Sequence, residues 1–245
     1  MIRIDIATLF PEMCETIMSE SIIGRARREE KFKLYCHNIR DYTLSKQRHV
    51  DDYTYGGGHG MVMQADPIAR CIDLILWQHE AAGRDRPRVL FMTPAGHPYT
   101  QEDAKRFAAL PGLVLVCGHY EGMDERVLEA YADEEISLGD FVLSGGELPA
   151  LAVADSVLRL QPGVLKNPEG YEGESHYDGL LEYPQYSRPE VWRGRSVPPV
   201  LLSGHAANIQ QWRQEQQRER TRVRRPDLFQ KWSGERGGKK DDTGK

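Results

Sequence analysis

The sequence predicts an α/β protein built on a parallel sheet, followed by a small all-α domain. Three observations carry this reading. The apolar runs RVLFM (residues 88–92) and LVLVC (residues 113–117) lack polar alternation, as strands buried on both faces do. Each run leads into a glycine-bearing turn and then a helix-like segment, the alternation a parallel sheet requires. From residue 162 the composition shifts to Gly, Pro and Glu, which marks a linker before a long, arginine-rich helical segment at residues 205–225.

The elements follow in order. Ile2, Ile4 and Ile6 alternate with Arg3 and Asp5 and open the fold as a strand. A short helix is expected over residues 11–19, with Pro11 in its first turn. A second strand is expected over residues 32–38, and HVDDYTYGGGHG (residues 49–60) reads as loop. Ile68, Cys71, Ile72 and Ile75 share one face of a helix over residues 67–78. Helices also follow the two central strands, over residues 100–110 and from about Asp124. The segment 147–160 is apolar nearly all round, as suits a helix that is buried or lies in a subunit interface. The tail from residue 233 reads as disordered.

Composition bounds the function. A chain of 245 residues allows one large domain or two modest ones, and 40% hydrophobic with 28% charged residues is ordinary for a globular protein. A net charge of −5 neither requires nor excludes nucleic acid, because local patches decide that. No apolar run approaches the ~18 residues of a membrane span. The start MIRIDIATLF lacks the basic region and long apolar core of a signal peptide. Cys14, Cys36, Cys71 and Cys117 form no C-x-x-C pair and read as reduced, buried thiols of a cytoplasmic protein.

The most informative segment is SLGDFVLSGGELPA, residues 137–150. Phe141, Val142 and Leu143 read as a strand-like run, and Ser144 with Glu147 has capping-box spacing at a helix start. Gly145 and Gly146 let backbone approach a ligand closely, since no Cβ intervenes. The loops 93–96, 118–122 and 138–146 should converge on one pocket, because ligands bind beyond the C-terminal ends of parallel strands. The glycine run at residues 56–60 reads as a flexible loop or one that closes over a ligand. It lacks the Lys-Ser/Thr of a P-loop, and no G-x-G-x-x-G or G-x-S-x-G is present. The eight histidines show no ligand spacing, so no metal is expected.

Asp178 precedes Gly179, a turn pair that also suits a general base on a mobile segment. Arg159 stands four residues after Asp155, the spacing of a helical ion pair. Arg213, Arg218, Arg220, Arg222, Arg224 and Arg225 make an almost acid-free helix end, either a solvated face or a phosphate-contacting one.

Taken together, IDIATLFPEM, YGGGHGMVM, FMTPAG, LVCGHYEGMDERV, SLGDFVLSGGELPA, DGLLEYPQYSRP and VPPVLLSGHAANI resemble the bacterial tRNA (guanine-N1)-methyltransferase family, TrmD. The resemblance implies a SPOUT-type parallel sheet with a deep trefoil knot over residues 1–161, a flexible linker over 162–177 and a helical tRNA-binding domain over 178–232. It implies a homodimer with active sites at the subunit interface and S-adenosylmethionine as cofactor. Cofactor contacts are then expected from Phe91, Met92, Thr93, Pro94, Gly118, Tyr120 and Glu121. Further contacts are expected from Leu138, Gly139, Asp140, Phe141, Val142, Leu143, Gly145 and Gly146. Methylation would fall on N1 of the guanosine just 3′ of the tRNA anticodon and guard against frameshifts, with Asp178 as general base and Arg159 as charge stabiliser. RNA contacts are expected from Gly58, His59, Arg188, Ser203, Arg220, Arg222 and Arg224. His59 stands where the family pattern has proline more often. Other readings on the same scaffold are a SPOUT enzyme modifying another RNA atom and a non-catalytic RNA-binding protein.

Overall fold

A computed structural model describes residues 1–57, 60–167, 171 and 173–237. The chain divides into two compact units, Met1–Pro168 and Glu169–Lys245.

The first unit is organised by five parallel strands: β1 (Arg3–Thr8), β2 (Lys33–Asn38), β5 (Arg88–Pro98), β6 (Gly112–Cys117) and β7 (Glu134–Ser137). Their order across the sheet is β2-β1-β6-β5-β7. The unalternating runs are explained by cover on both faces. Ile4, Ile6, Leu90, Leu113 and Leu115 point to one side, into a core completed by α1 (Pro11–Met18), α2 (Ser21–Arg28), α4 (Gln101–Ala108) and α6 (Glu147–Leu158). Ala7, Val89, Phe91, Val114 and Val116 point to the other, against a 3-10 turn (Ile39–Tyr42), α3 (Ala65–Ala81) and α5 (Glu125–Tyr131). Each fully buried Ile, Leu, Val or Phe contributes about 1.5–3 kcal/mol. A short hairpin, β3 (Asp51–Tyr53) with β4 (Met61–Met63), flanks the glycine loop.

One charge is built into this core. Asp5 is fully buried and accepts from Arg3 at 2.7 and 2.9 Å, with the His37 and His79 rings at 2.8 and 2.9 Å. Burial opposes its ionisation, but these partners outweigh it and hold the carboxyl well below the usual range.

Several expectations need correction. Residues 93–96 do not end a strand: β5 runs on to Pro98, and its pairing with β7 shifts register between Met92 and His97. The extra residues form a bulge, with Gly96 pressed so closely on β7 that a Cβ would lie 2.4 Å from the Glu135 carbonyl carbon. Phe141, Val142 and Leu143 are not a strand but an exposed loop, and the strand before them is β7. The capping box at Ser144 and Glu147 does not form, because Gly146 is the N-cap and the Glu147 side chain turns inward. A capping box does form at Thr100 and Asp103. The helix α2 was not foreseen, since its mostly polar run hides a short apolar face of Ile23, Gly24 and Ala26. All four cysteines are free, and Cys36 is only half-buried.

The second unit is not purely helical. A hairpin, β8 (Val191–Trp192) with β9 (Arg195–Ser196), precedes α7 (Pro199–Leu202), α8 (Ala206–Arg224) and α9 (Pro226–Gly237). The start of the expected tail is helical, because α9 extends to Gly237. Thr221 of α8 is fully buried and its hydroxyl accepts from the Leu181 N–H at 2.9 Å, which fixes the segment after Asp178 along the helix. Residues 168–170, 172 and 238–245 of the expected linker and tail lie outside the described residues.

Candidate active site

A cleft of about 400 Å³ opens beyond the C-terminal ends of the central strands, where the three loops meet. Of the expected cofactor contacts, Met92, Thr93, Pro94, Gly118, Tyr120, Glu121, Leu138, Phe141, Val142, Leu143, Gly145 and Gly146 line it. Gly139 and Asp140 do not, and Phe91 is fully buried in the core on the α3 side. Ala95, His119, Met123, Glu125, Glu135, Ile136, Ser137 and Ser144 line it as well. Ala95, His119 and Ser144 fall inside the three loops already singled out, so sequence reasoning had the signal. Glu125 and Glu135 had none, because their placement follows from the turn of α5 and the register of β7.

The glycine wall is held from behind. The Gly146 N–H donates to the Gly118 carbonyl at 2.8 Å, tying two loops together. A Cβ on Gly146 would stand 2.7 Å from the Cys117 Cα, and one on Gly145 would stand 2.2 Å from His119 Cε1. His119 is set by Glu147, whose buried carboxylate lies 2.6 Å from its Nε2 and accepts from the Thr8 hydroxyl at 2.6 Å. Burial pushes the Glu147 carboxyl up, but the bonds from His119 and Thr8 prevail and hold it below its usual range. Phe10 packs against the imidazole, with ring centroids 5.1 Å apart.

The glycine loop is anchored to the same cleft. Through β4, Met63 N–H donates to Gly122 O at 2.9 Å, and Glu121 and Asp124 N–H groups donate to Met61 and Met63 carbonyls at 3.0 and 2.9 Å. Gly60 abuts the Glu121 side chain. Gly58 and His59 lie outside the described residues.

Arg159 is the C-cap of α6 in the first unit, its N–H bonded to the Asp155 carbonyl at 2.9 Å. Asp178 belongs to the second unit, where it is exposed and accepts from the Leu180 N–H at 3.4 Å. Arg188, Arg222, Arg224 and Ser203 are exposed, and Arg220 is half-buried. The helix end is not free of acid in space: Arg222 pairs with Glu219 at 2.7 Å and Arg225 with Asp227 at 2.6 Å.

The cleft's charge defines what it accepts. Among the described residues three carboxylates, Glu121, Glu125 and Glu135, line it, and no lysine or arginine does. Such a lining disfavours a pyrophosphate and suits a ligand carrying positive charge. Apolar walls from Met92, Ile136, Leu138 and Leu143 beside bare backbone suit one with a flat heterocycle. Among the described residues no His, Cys, Asp or Glu group could hold a metal ion, and no helix is long and apolar enough to cross a membrane.

Residues 2–231 match the family described as tRNA (Guanine-1)-methyltransferase TrmD. A protein named tRNA (guanine-N(1)-)-methyltransferase from Ruminiclostridium cellulolyticum is 51% identical over 94% of this chain and 97% of its own length. Proteins of the same name from Lachnospira eligens and Clostridium novyi are 51% and 53% identical, each over 93% of this chain and over 94% and 91% of their own lengths.

Proposed function

The chain belongs to the tRNA (guanine-1)-methyltransferase TrmD family, and from that membership we propose that it methylates N1 of the guanosine just 3′ of the tRNA anticodon. S-adenosylmethionine is the donor. The observation that carries the donor assignment is the cleft lined by three carboxylates and, among the described residues, by no lysine or arginine, which complements a sulfonium cation. When bound, this cofactor supplies an electrophilic methyl group. Gly118, Gly145 and Gly146 would hold it on backbone, with Leu138 and Ile136 among the apolar walls.

Guanine N1 carries a proton and is a poor nucleophile until that proton leaves. Asp178 takes it, and Arg159 stabilises the negative charge that develops toward O6. The base must leave its stack to be reached, at a cost of a few kcal/mol. The chain from β5 to α6 forms a trefoil knot, a reading supported by the position of β7 outside β5 and by the close packing of Gly146 on Cys117. The enzyme acts as a cytoplasmic homodimer with active sites at the subunit interface.

Methyl transfer to unmodified tRNA, with mass spectrometry of the product nucleoside, tests this. Asp178→Ala should lower kcat by about 10²–10⁴-fold while leaving cofactor binding intact. Arg159→Ala should also lower kcat more than it raises the KM for cofactor. Near wild-type turnover of Asp178→Ala sinks the base assignment, and a methyl on any atom other than guanine N1 sinks the reaction.

A further inference from the structure

We infer that Gly60 is a positioning residue of the cleft: its missing side chain leaves the room in which the Glu121 carboxylate stands at the cleft. This rests on the reading of the cleft as a sulfonium site. The junction between the two residues is built from backbone. β4 follows Gly60 directly and runs beside the loop from His119 to Asp124. The Met63 N–H donates to the Gly122 carbonyl at 2.9 Å, and the Glu121 and Asp124 N–H groups donate to the Met61 and Met63 carbonyls at 3.0 and 2.9 Å. The His119 N–H adds a bond to the Met63 sulfur at 3.2 Å.

The Glu121 side chain is not fixed in that way. It is exposed, and among the described residues no hydrogen bond or ion pair holds its carboxylate. What confines it is contact. A Cβ on Gly60 would stand 2.5 Å from the Glu121 Cγ, 2.7 Å from Oε1 and 3.0 Å from Cδ. The side chain is the part that can yield, so a larger residue at position 60 turns the carboxylate away while the bonded backbone stays. Gly60 also holds a φ of +94°, which side-chain-bearing residues rarely adopt, so strain must be separated from contact. Gly57 allows that separation: its φ is +78°, and among the described residues nothing lies within 4 Å of where its Cβ would be.

The test is calorimetric titration, without tRNA, using S-adenosylmethionine and S-adenosylhomocysteine, which lacks the sulfonium charge. Gly60→Ala should weaken S-adenosylmethionine binding about 5-fold more than S-adenosylhomocysteine binding, the effect of one solvated charge about 4 Å away. The difference should shrink as salt rises. Glu121→Gln should give the same difference, and adding Gly60→Ala to it should change the ratio of the two affinities no further. Gly57→Ala carries the backbone strain without the contact and should keep the wild-type ratio. Gly60→Asn keeps the Cβ but tolerates positive φ, and should repeat the shift if Gly60→Ala folds poorly. A glycine with a merely structural role would lower both affinities alike. An unchanged ratio in Gly60→Ala and Gly60→Asn, the same shift from Gly57→Ala, or a further shift on the Glu121→Gln background overturns the inference. Guanine-N1 methylation by the wild type stands in each of those cases, whereas a wild type that binds neither ligand sinks the donor reading and this inference with it.

Discussion

Glu147 is the residue on which cleft wall and sheet depend together. Its carboxylate is the shared acceptor for the Thr8 hydroxyl on β1 and for His119 in the pocket loop, and it is 3% exposed. Glu147→Ala leaves the buried Thr8 hydroxyl and the half-buried His119 ring without that acceptor, at a cost of about 1–3 kcal/mol. His119 then has no anchor behind Gly145, so S-adenosylhomocysteine affinity should fall about 10-fold, or 1.4 kcal/mol. Denaturant unfolding and calorimetric titration check the two effects. The pH dependence has a definite sign. The folded carboxyl titrates below its usual value, so its stabilisation is present above about pH 4.3, the unfolded glutamate value, and is lost as pH falls below that. The stability gap between wild type and Glu147→Ala should therefore narrow in acid. A gap that widens on acidification, or an unchanged ligand affinity, would show that Glu147 does not position His119.

At the scale of elements, the backbone approach at the start of α6 is the controlling contact. A methyl group on Gly146 meets the Cys117 Cα at 2.7 Å and the Gly118 nitrogen at 2.8 Å, atoms that cannot yield without moving β6. One on Gly118 meets the flexible Met123 side chain at 3.1 Å. Gly146→Ala should therefore cost more than the about 1–3 kcal/mol usual for overpacking and abolish measurable cofactor binding, while Gly118→Ala should keep binding within about 10-fold. Thermal unfolding and titration of both variants check this, and equal effects would sink the backbone-wall reading. These elements differed in how far the sequence exposed them. RVLFM and LVLVC were legible as strands because burial on both faces removes polar residues from them. The pairing of Gly145 with Gly146 was legible as close approach because little else needs two adjacent glycines. The loop of Phe141, Val142 and Leu143 was misread because its apolar residues serve a cleft and a surface, and composition cannot separate that use from a strand. Glu147 looked like a cap because spacing along the chain does not show that Thr8 and His119 stand behind it.

At the scale of the whole molecule, the first unit leaves apolar side chains uncovered. Met13 and Ile17 on α1 and Leu148 on α6 are 39%, 46% and 49% exposed, and α1 and α6 pack against each other. Phe10, next to α1 and against His119, is 49% exposed. An apolar face of this kind beside a ligand cleft is what a two-fold interface supplies, since the same patch then covers itself. Ile17→Asp with Leu148→Asp should turn the proposed dimer into a monomer by light scattering and remove methyl transfer, with Asp178 and Arg159 untouched. A sharper outcome follows if the site is shared across subunits. Arg159→Ala and Asp178→Ala chains, each inactive alone, should regain activity when mixed and refolded together. Random pairing makes half of the dimers mixed, and each mixed dimer holds one intact site of two, so activity should recover to about a quarter of wild type. Mixed dimers that form but stay inactive would mean that both residues act within one chain, and the interface would then serve stability alone.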